Sequence, residues 1–195
     1  MKKTKLAILG FGTVGQGICE ILLQKKEQLK KQYNFDFEVV AVSDFNNGNV
    51  YNPNGLDISQ MLEEAKAKKK FTKDIVKWDN ITLIKKCNAD VLCELTYTDL
   101  ETGGPAIDHC KTALKSGINV VTSNKGPAAL QYPEMKEIAD ANNVKFLIEG
   151  TVCAGTPVIN LTDGPLAGCE ISQIRRILMG LPIICCLEWN RHGFD

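Results

Sequence analysis

Lys5-Leu6-Ala7-Ile8-Leu9-Gly10-Phe11-Gly12-Thr13-Val14-Gly15 decides how the rest of the chain is read. Lys5 to Leu9 is a short apolar run ending at a glycine, and from Gly15 to about Lys31 apolar side chains recur at helical spacing (Ile18, Ile21, Leu22, Leu29). The pattern predicts a strand, a glycine turn and one continuous helix. Between strand and helix, Gly10 to Gly15 matches G-x-G-x-x-G in the setting the motif needs. Gly10 makes the tight turn, Gly12 lets a diphosphate approach the backbone, and Gly15 allows close helix packing. The diphosphate then lies at the positive end of the helix.

Outward from this stretch, Phe37 to Ser43 (FEVVAVS) is a β-branched run suited to a strand buried on both faces of a parallel sheet. Asp44 ends it, where a carboxylate can accept hydrogen bonds from an adenosine ribose. No Arg or Lys follows in Phe45-Asn46-Asn47 to neutralise a 2′-phosphate, which favours NAD over NADP. Residues 45–56 are turn-rich, and Ile58 to Lys73 is a basic amphipathic stretch whose Lys66, Lys68, Lys69 and Lys70 form a solvated face. Ala89 to Leu95 reads as a third strand, Gly104 to Ser116 as a helix and Asn119 to Thr122 as a fourth strand. Pro133 to Asn142 comes next as a helix and Lys145 to Ile148 as a fifth strand. The alternation predicts an α/β, Rossmann-type doubly wound parallel sheet over residues 1–150. Residues 151–195 form a separate remainder, a truncated fragment of a second, α+β substrate domain. In it Pro157 opens a helix to about Leu166, and Glu170 to Leu178 is a strand with no partner nearer the C-terminus.

The length of 195 residues holds one such domain and a few dozen residues more. Lys plus Arg number 23 and Asp plus Glu number 23, so no net field draws the chain to nucleic acid or anionic lipid. No apolar stretch reaches the roughly 20 residues of a membrane span, and the cytoplasm is the expected location. The 8 cysteines include no Cys-x-x-Cys pair and the chain has 2 histidines, so buried thiols are expected rather than a cysteine metal site or disulfides.

Two loops beyond strand ends have unusual compositions: Thr122-Ser123-Asn124-Lys125-Gly126-Pro127 and Glu149-Gly150-Thr151-Val152-Cys153-Ala154-Gly155-Thr156-Pro157. Open α/β sheets place their sites at such carboxyl ends. Lys125, flanked by Asn and Gly, has the chemistry to orient a carbonyl or shuttle a proton.

With Gly10 to Gly17 (GFGTVGQG), Glu94 to Gly104 (ELTYTDLETGG), Val120 to Leu130 (VVTSNKGPAAL) and Glu149 to Leu161 (EGTVCAGTPVINL), the chain resembles the homoserine dehydrogenases over residues 5 to about 178. The resemblance implies an oxidoreductase of threonine, methionine and isoleucine biosynthesis, passing hydride reversibly between NAD(P)H and aspartate 4-semialdehyde to give homoserine. It implies that Phe11, Thr13 and Val14 touch the cofactor with Gly10, Gly12 and Gly15. Thr96 and Lys125 then line its nicotinamide side, with Lys125 approaching the substrate. It further implies a structural sodium ion near Glu149, Val152, Ala154 and Thr156, for which extended chain with alternate backbone oxygens facing one way would serve. The family dimerises largely through a catalytic domain that would come after residue 178. Two alternatives stand beside this reading: another small-aldehyde or amino-acid dehydrogenase with the same cofactor domain, and a dinucleotide-binding remnant without catalysis.

From Met179 the chain departs from the family, which continues Asn-Gly-Thr-Thr-Asn-Tyr. Met179 to Asn190 is back-translatable into codons that, with one A restored before them, read Asn-Gly-Thr-Thr-Asn-Tyr-Met-Leu-Ser-Gly-Met-Glu. A one-nucleotide deletion at or near codon 179 is therefore the expectation for residues 179–195. The short chain is then expected to turn over poorly. With an unpaired strand beside the apolar run Leu181 to Leu187, it is also expected to have low solubility.

Overall fold

The computed structural model describes residues 3–99, 101–177 and 184–187, and of 174–177 and 184–187 the backbone only. The chain divides into two compact units, Met1–Thr156 and Pro157–Asp195.

In the first unit β1 (Thr4–Leu9) is central to a six-stranded sheet. On one side it pairs in parallel with β2 (Phe37–Asp44), which carries β3 (Gly48–Tyr51) at the edge. On the other side lie β4 (Val91–Glu94), β5 (Asn119–Thr122) and β6 (Phe146–Leu147), all parallel. The order β3-β2-β1-β4-β5-β6 puts the topological switch point between β1 and β4. Register aligns Ser43, Leu9, Glu94 and Thr122 in one row, so the next residues of four strands emerge side by side at the carboxyl edge.

Strict alternation along β1 makes both faces apolar. Leu6 and Ile8 join Cys19, Leu22, Ile58, Met61, Leu62, Phe71 and Cys93, beneath α1 (Thr13–Gln24) and α3 (Ile58–Lys66). Ala7 and Leu9 join Leu83, Leu92, Cys110, Leu114, Val120 and Met135 on the opposite face. That face is covered by α4 (Asn80–Lys86), α5 (Ala106–Lys115) and α6 (Lys125–Ala141). Each fully buried Leu or Ile contributes about 1.5–3 kcal/mol, so the two layers hold β1 from both sides.

The structure corrects the sequence reading at several points. The expected single helix from Gly15 to Lys31 is two, α1 and α2 (Lys26–Tyr33), broken at Lys25. Apolar spacing lapses through Gln24-Lys25-Lys26-Glu27, and α2 buries no residue fully, with Leu29 alone of its apolar side chains packed against the core, so no continuous apolar stripe holds the two segments in line. The turn-rich segment 45–56 contains β3, folded back by a turn that ends on Gly48 at φ +99°. The sheet is therefore mixed, with an antiparallel edge on a parallel body. Asp79, whose carboxylate accepts from Thr82 N–H at 2.7 Å, starts the unforeseen α4. The helix expected from Pro133 to Asn142 is present as the second part of α6, after a break at Gln131 (φ −142°, ψ 27°), and what the sequence reading missed is the helical stretch 125–130 before it. Lys66, Lys68, Lys69 and Lys70 are exposed, as a solvated face requires.

The second unit holds α7 (Val158–Asp163) and β7 (Ile174–Ile177). The strand expected to stand alone is paired: β7 runs antiparallel to β8 (Ile184–Leu187), with Ile174 opposite Leu187. The apolar run read as an aggregation hazard supplies the partner. Leu178, residues 179–183 and the remainder of the tail lie outside the described residues. Among the described residues no helix is long and apolar enough to cross a membrane.

Candidate functional site

Gly10 leaves β1 at φ +93°, and its N–H donates to Ser43 O at 2.8 Å. A Cβ here would stand 2.4 Å from Leu95 O, and one at Gly15 would stand 2.1 Å from Gly10 O. Both positions exclude any side chain. Gly12 differs: a Cβ there would meet nothing within 4 Å, so the absent side chain leaves open space above the loop. Gly12 is also the N-cap of α1, with no side-chain cap and no acidic residue in the first turn. Asp57, Asp79 and Asn124, by contrast, cap α3, α4 and α6. An uncapped start on a helix of this length, under open space, is what an oxyanion needs. Thr13 and Val14 are exposed in that first turn.

Phe11 is 1% exposed and its ring meets Phe71 edge-on at 5.5 Å, so its ring belongs to the core. Its backbone groups are also engaged: the carbonyl accepts from Gln16 Nε2 at 2.9 Å, and the N–H donates to Asp44 Oδ1 at 3.0 Å. Asp44 Oδ2 accepts from the N–H groups of Asn46 and Asn47 at 2.9 and 3.0 Å. Asp44 thus ties the glycine turn to the β2–β3 turn. A carboxylate offers about four acceptor sites; three are filled here, which leaves room for one hydroxyl. Phe45, the next residue, is fully exposed.

On the other side of the switch point, Thr96 comes after β4 and Lys125 opens α6. Asn124 joins them: its Nδ2 donates to Thr96 O and Tyr97 O, both at 3.1 Å, and its Oδ1 accepts from Gly126 N–H at 3.0 Å. Lys125 is exposed at the first position of α6. Helices disfavour a cation there, because the macrodipole is positive at that end. Gly10, Gly12, Gly15, Asp44, Thr96 and Lys125 therefore gather at the carboxyl ends of β1, β2, β4 and β5.

The segment after β6 lies near this edge, since a Cβ on Gly150 would stand 3.3 Å from Ser123 Cβ. It is a loop, as expected. Glu149–Thr151 is a 3-10 turn, and Cys153 and Ala154 lie beyond it in the left-handed region at φ 57° and 50°. The sodium ligand set stands on the resemblance alone. Among the described residues, no cluster of three or more His, Cys, Asp or Glu is placed to hold a metal. Cys19, Cys87, Cys93 and Cys110 are buried as expected, whereas Cys153 is half-buried and Cys169 exposed.

Sequence reasoning gave no role to Glu94, His109 or Asn80, yet all three lie just beneath the crevice. Two signals were present: a carboxylate closing an apolar strand, and a histidine on the same helical face as Ala106, Cys110 and Ala113.

Comparison with known proteins agrees with this geometry. Residues 10–149 match the family model of the homoserine dehydrogenase NAD-binding domain. The chain is 38% identical over 183 residues to the NAD(+)-dependent homoserine dehydrogenase of Pseudomonas canavaninivorans, covering 92% of this chain and 52% of that one. With the homoserine dehydrogenase of Methanocaldococcus jannaschii the identity is 39% over 193 residues, with 97% and 57% covered. A hyperthermophilic archaeal homoserine dehydrogenase solved in complex with NADPH superposes with a TM-score of 0.74 at 27% identity, covering 89% of this chain and 51% of its own. The chain thus spans about half the length of the curated relatives it matches. A glycine turn beneath open space, the carboxylate latched to it and the matched residues 10–149 lead to one conclusion: this chain belongs to the homoserine dehydrogenase family and carries its NAD-binding domain.

Proposed function

We propose that the chain binds a nicotinamide dinucleotide across the carboxyl ends of β1 and β4, and that the protein interconverts homoserine and aspartate 4-semialdehyde in amino-acid biosynthesis. The observation that carries the reading is the uncapped start of α1 beneath the open position at Gly12. Backbone N–H groups of the first turn, beside Thr13 and Val14, would hold the diphosphate. Asp44, with one acceptor site left, would take a ribose hydroxyl, and its negative charge opposes a 2′-phosphate. This supports NAD over NADP, in keeping with the NAD(+)-dependent relative.

The bound nicotinamide would supply the hydride. The residues of this chain would orient it and manage charge: Thr96 lines the nicotinamide side, and the Lys125 ammonium steadies or protonates the oxygen of the reacting carbonyl. In this reading residues 1–150 are the cofactor domain and 151–195 begin the substrate domain. The sodium set at Glu149, Val152, Ala154 and Thr156 and a homodimer are carried by family resemblance, and a cytoplasmic location by the sequence pattern.

Calorimetric titration of the chain with NAD and with NADP tests the cofactor claim. The expected result is binding of both, NAD the tighter, with the preference reversed or lost in Asp44→Asn. Folded material that binds neither ends the proposal. A homoserine turnover assay on the same material separates catalysis from binding alone.

A further inference from the structure

A file of buried polar groups crosses the apolar interior directly under the crevice. Glu94 is 0% exposed and His109 2%. His109 Nδ1 lies 3.2 Å from Glu94 Oε1, and its Nε2 lies 3.2 Å from Asn80 Nδ2. Asn80 Oδ1 accepts from Ser43 Oγ at 2.5 Å, which turns the Asn80 amide nitrogen toward the ring. The ring's Nε2 is then the acceptor and its hydrogen sits on Nδ1, facing Glu94. Thr96 Oγ1 donates to the same Glu94 Oε1. Thr122 Oγ1 donates to Glu94 O at 2.8 Å and accepts from Asn124 N–H at 2.9 Å. The file begins at Ser43, whose carbonyl holds Gly10, and ends at Asn124, which caps α6.

Stability alone does not account for such a pair. A buried ionisable couple is replaceable by apolar side chains of similar volume at little or no loss, whereas removing one member strands the other. What the pair adds is direction. A threonine hydroxyl is both donor and acceptor and samples several rotamers. With its hydrogen committed to Glu94 and one lone pair facing Asn124 Nδ2 at 3.5 Å, Thr96 Oγ1 is held in one rotamer and has only a lone pair to offer the crevice. His109 fixes the carboxyl in turn.

We propose that Glu94 and His109 are positioning residues that make Thr96 an obligate hydrogen-bond acceptor at the nicotinamide end, matched to the amide N–H of the carboxamide. The inference rests on the dinucleotide reading above and deepens it by naming the chemical group that is recognised. A nicotinic acid ring offers no such donor and brings a negative charge to the same lone pair.

The test is a pair of calorimetric titrations, with NAD and with nicotinic acid adenine dinucleotide, which differ only in that group. The wild-type chain is expected to bind NAD about ten-fold or more tightly than the acid analogue. In Glu94→Leu the two affinities converge to within about two-fold, because Thr96 regains its freedom. In Glu94→Gln, which keeps an oxygen for Thr96 and His109, the wild-type ratio persists. His109→Leu leaves the carboxyl in place and is expected to lower the ratio part of the way, which keeps the test readable should Glu94→Leu fail to fold. Loss of affinity for both dinucleotides by one common factor, with the ratio unchanged, would mean a purely structural role and overturn the inference. A wild-type ratio near unity overturns it as well. Absence of binding to either dinucleotide in the wild-type chain instead refutes the cofactor reading itself.

Discussion

The two ends of the crevice are made of different material. At the glycine turn the working surface is backbone: Gly10, Gly12 and Gly15 shape it by lacking side chains, and Asp44 latches it through main-chain N–H groups. At the other end it is side chains drawn from separate elements: Glu94 on β4, Thr96 after it, His109 on α5, Thr122 on β5 and Asn124 at the start of α6. The first end needs only local chain geometry. The second exists only once the sheet has brought four segments together.

The largest effects should fall at the backbone end, where two neighbouring glycines are expected to respond in opposite ways. Gly15→Ala forces a Cβ to within 2.1 Å of Gly10 O, a backbone atom that cannot move without unmaking the turn. A loss of about 3 kcal/mol or more in stability is expected, read as a fall in the urea midpoint or failure to fold. Gly12→Ala meets nothing within 4 Å and has an ordinary φ of −78°. Its stability should change by less than about 1 kcal/mol, while NAD affinity falls about ten-fold or more because the methyl group occupies the diphosphate's place. Equal effects at both positions would show that open space above Gly12 has no bearing on a ligand.

The same division governs what could be read from the sequence. The glycine turn, Asp44 and the strands at Phe37 and Asn119 are legible because each is fixed by residues close in sequence: a missing Cβ, a β-branched run, a strand end. The β3 edge escaped notice because Gly48-Asn49-Val50-Tyr51 sits among turn formers, and only pairing with Ala41 to Asp44 makes it a strand. The break at Lys25 depends on what the helices pack against, which periodicity does not record, whereas the break at Gln131 was legible in Pro133, where a helix was expected to begin. The Glu94–His109 pair was illegible for the strongest reason. Residues 15 positions apart meet only because β4 and α5 stack, and no motif pairs the two.

An effect of intermediate size should come from the thiols that back the side-chain end. Cys93 precedes Glu94 on β4 and faces the opposite layer, where it packs near Cys19. Burial pushes Cys93 up to about 11 and Cys19 up to about 12, from an ordinary 9.0. Above pH 9 the unfolded chain releases thiol protons that the native chain retains. The native state then binds more protons, and stability falls as pH rises. Each thiol contributes a loss of about 1.4 kcal/mol per pH unit until its folded value is reached. Urea midpoints should already be lower at pH 9, where each unfolded thiol is half ionised, than at pH 8, and lower again at pH 10. In the native state at pH 8, an alkylating reagent should modify Cys169 and Cys153 and spare Cys19, Cys87, Cys93 and Cys110. Native labelling of Cys93 would show that β4 is not sealed on that face, and that the polar pair on its other face has lost its dry support.

The smallest effect should have the opposite sign. Lys125 places a cation at the first position of α6, where the positive end of the dipole of its opening stretch, residues 125–130, opposes it by about 0.3–1 kcal/mol. Lys125→Met keeps the apolar stem and removes the charge. It should therefore raise the melting temperature, by roughly 1–4 °C at low ionic strength, with the gain shrinking as salt screens the dipole. A lowered melting temperature would make Lys125 a structural cation and return the side-chain end to packing alone. A raised one means the chain carries a charge its fold would rather lose. A residue that local electrostatics disfavours, set one position after the asparagine that fastens Thr96, is best accounted for by what it does to a bound molecule rather than by what it does for the helix.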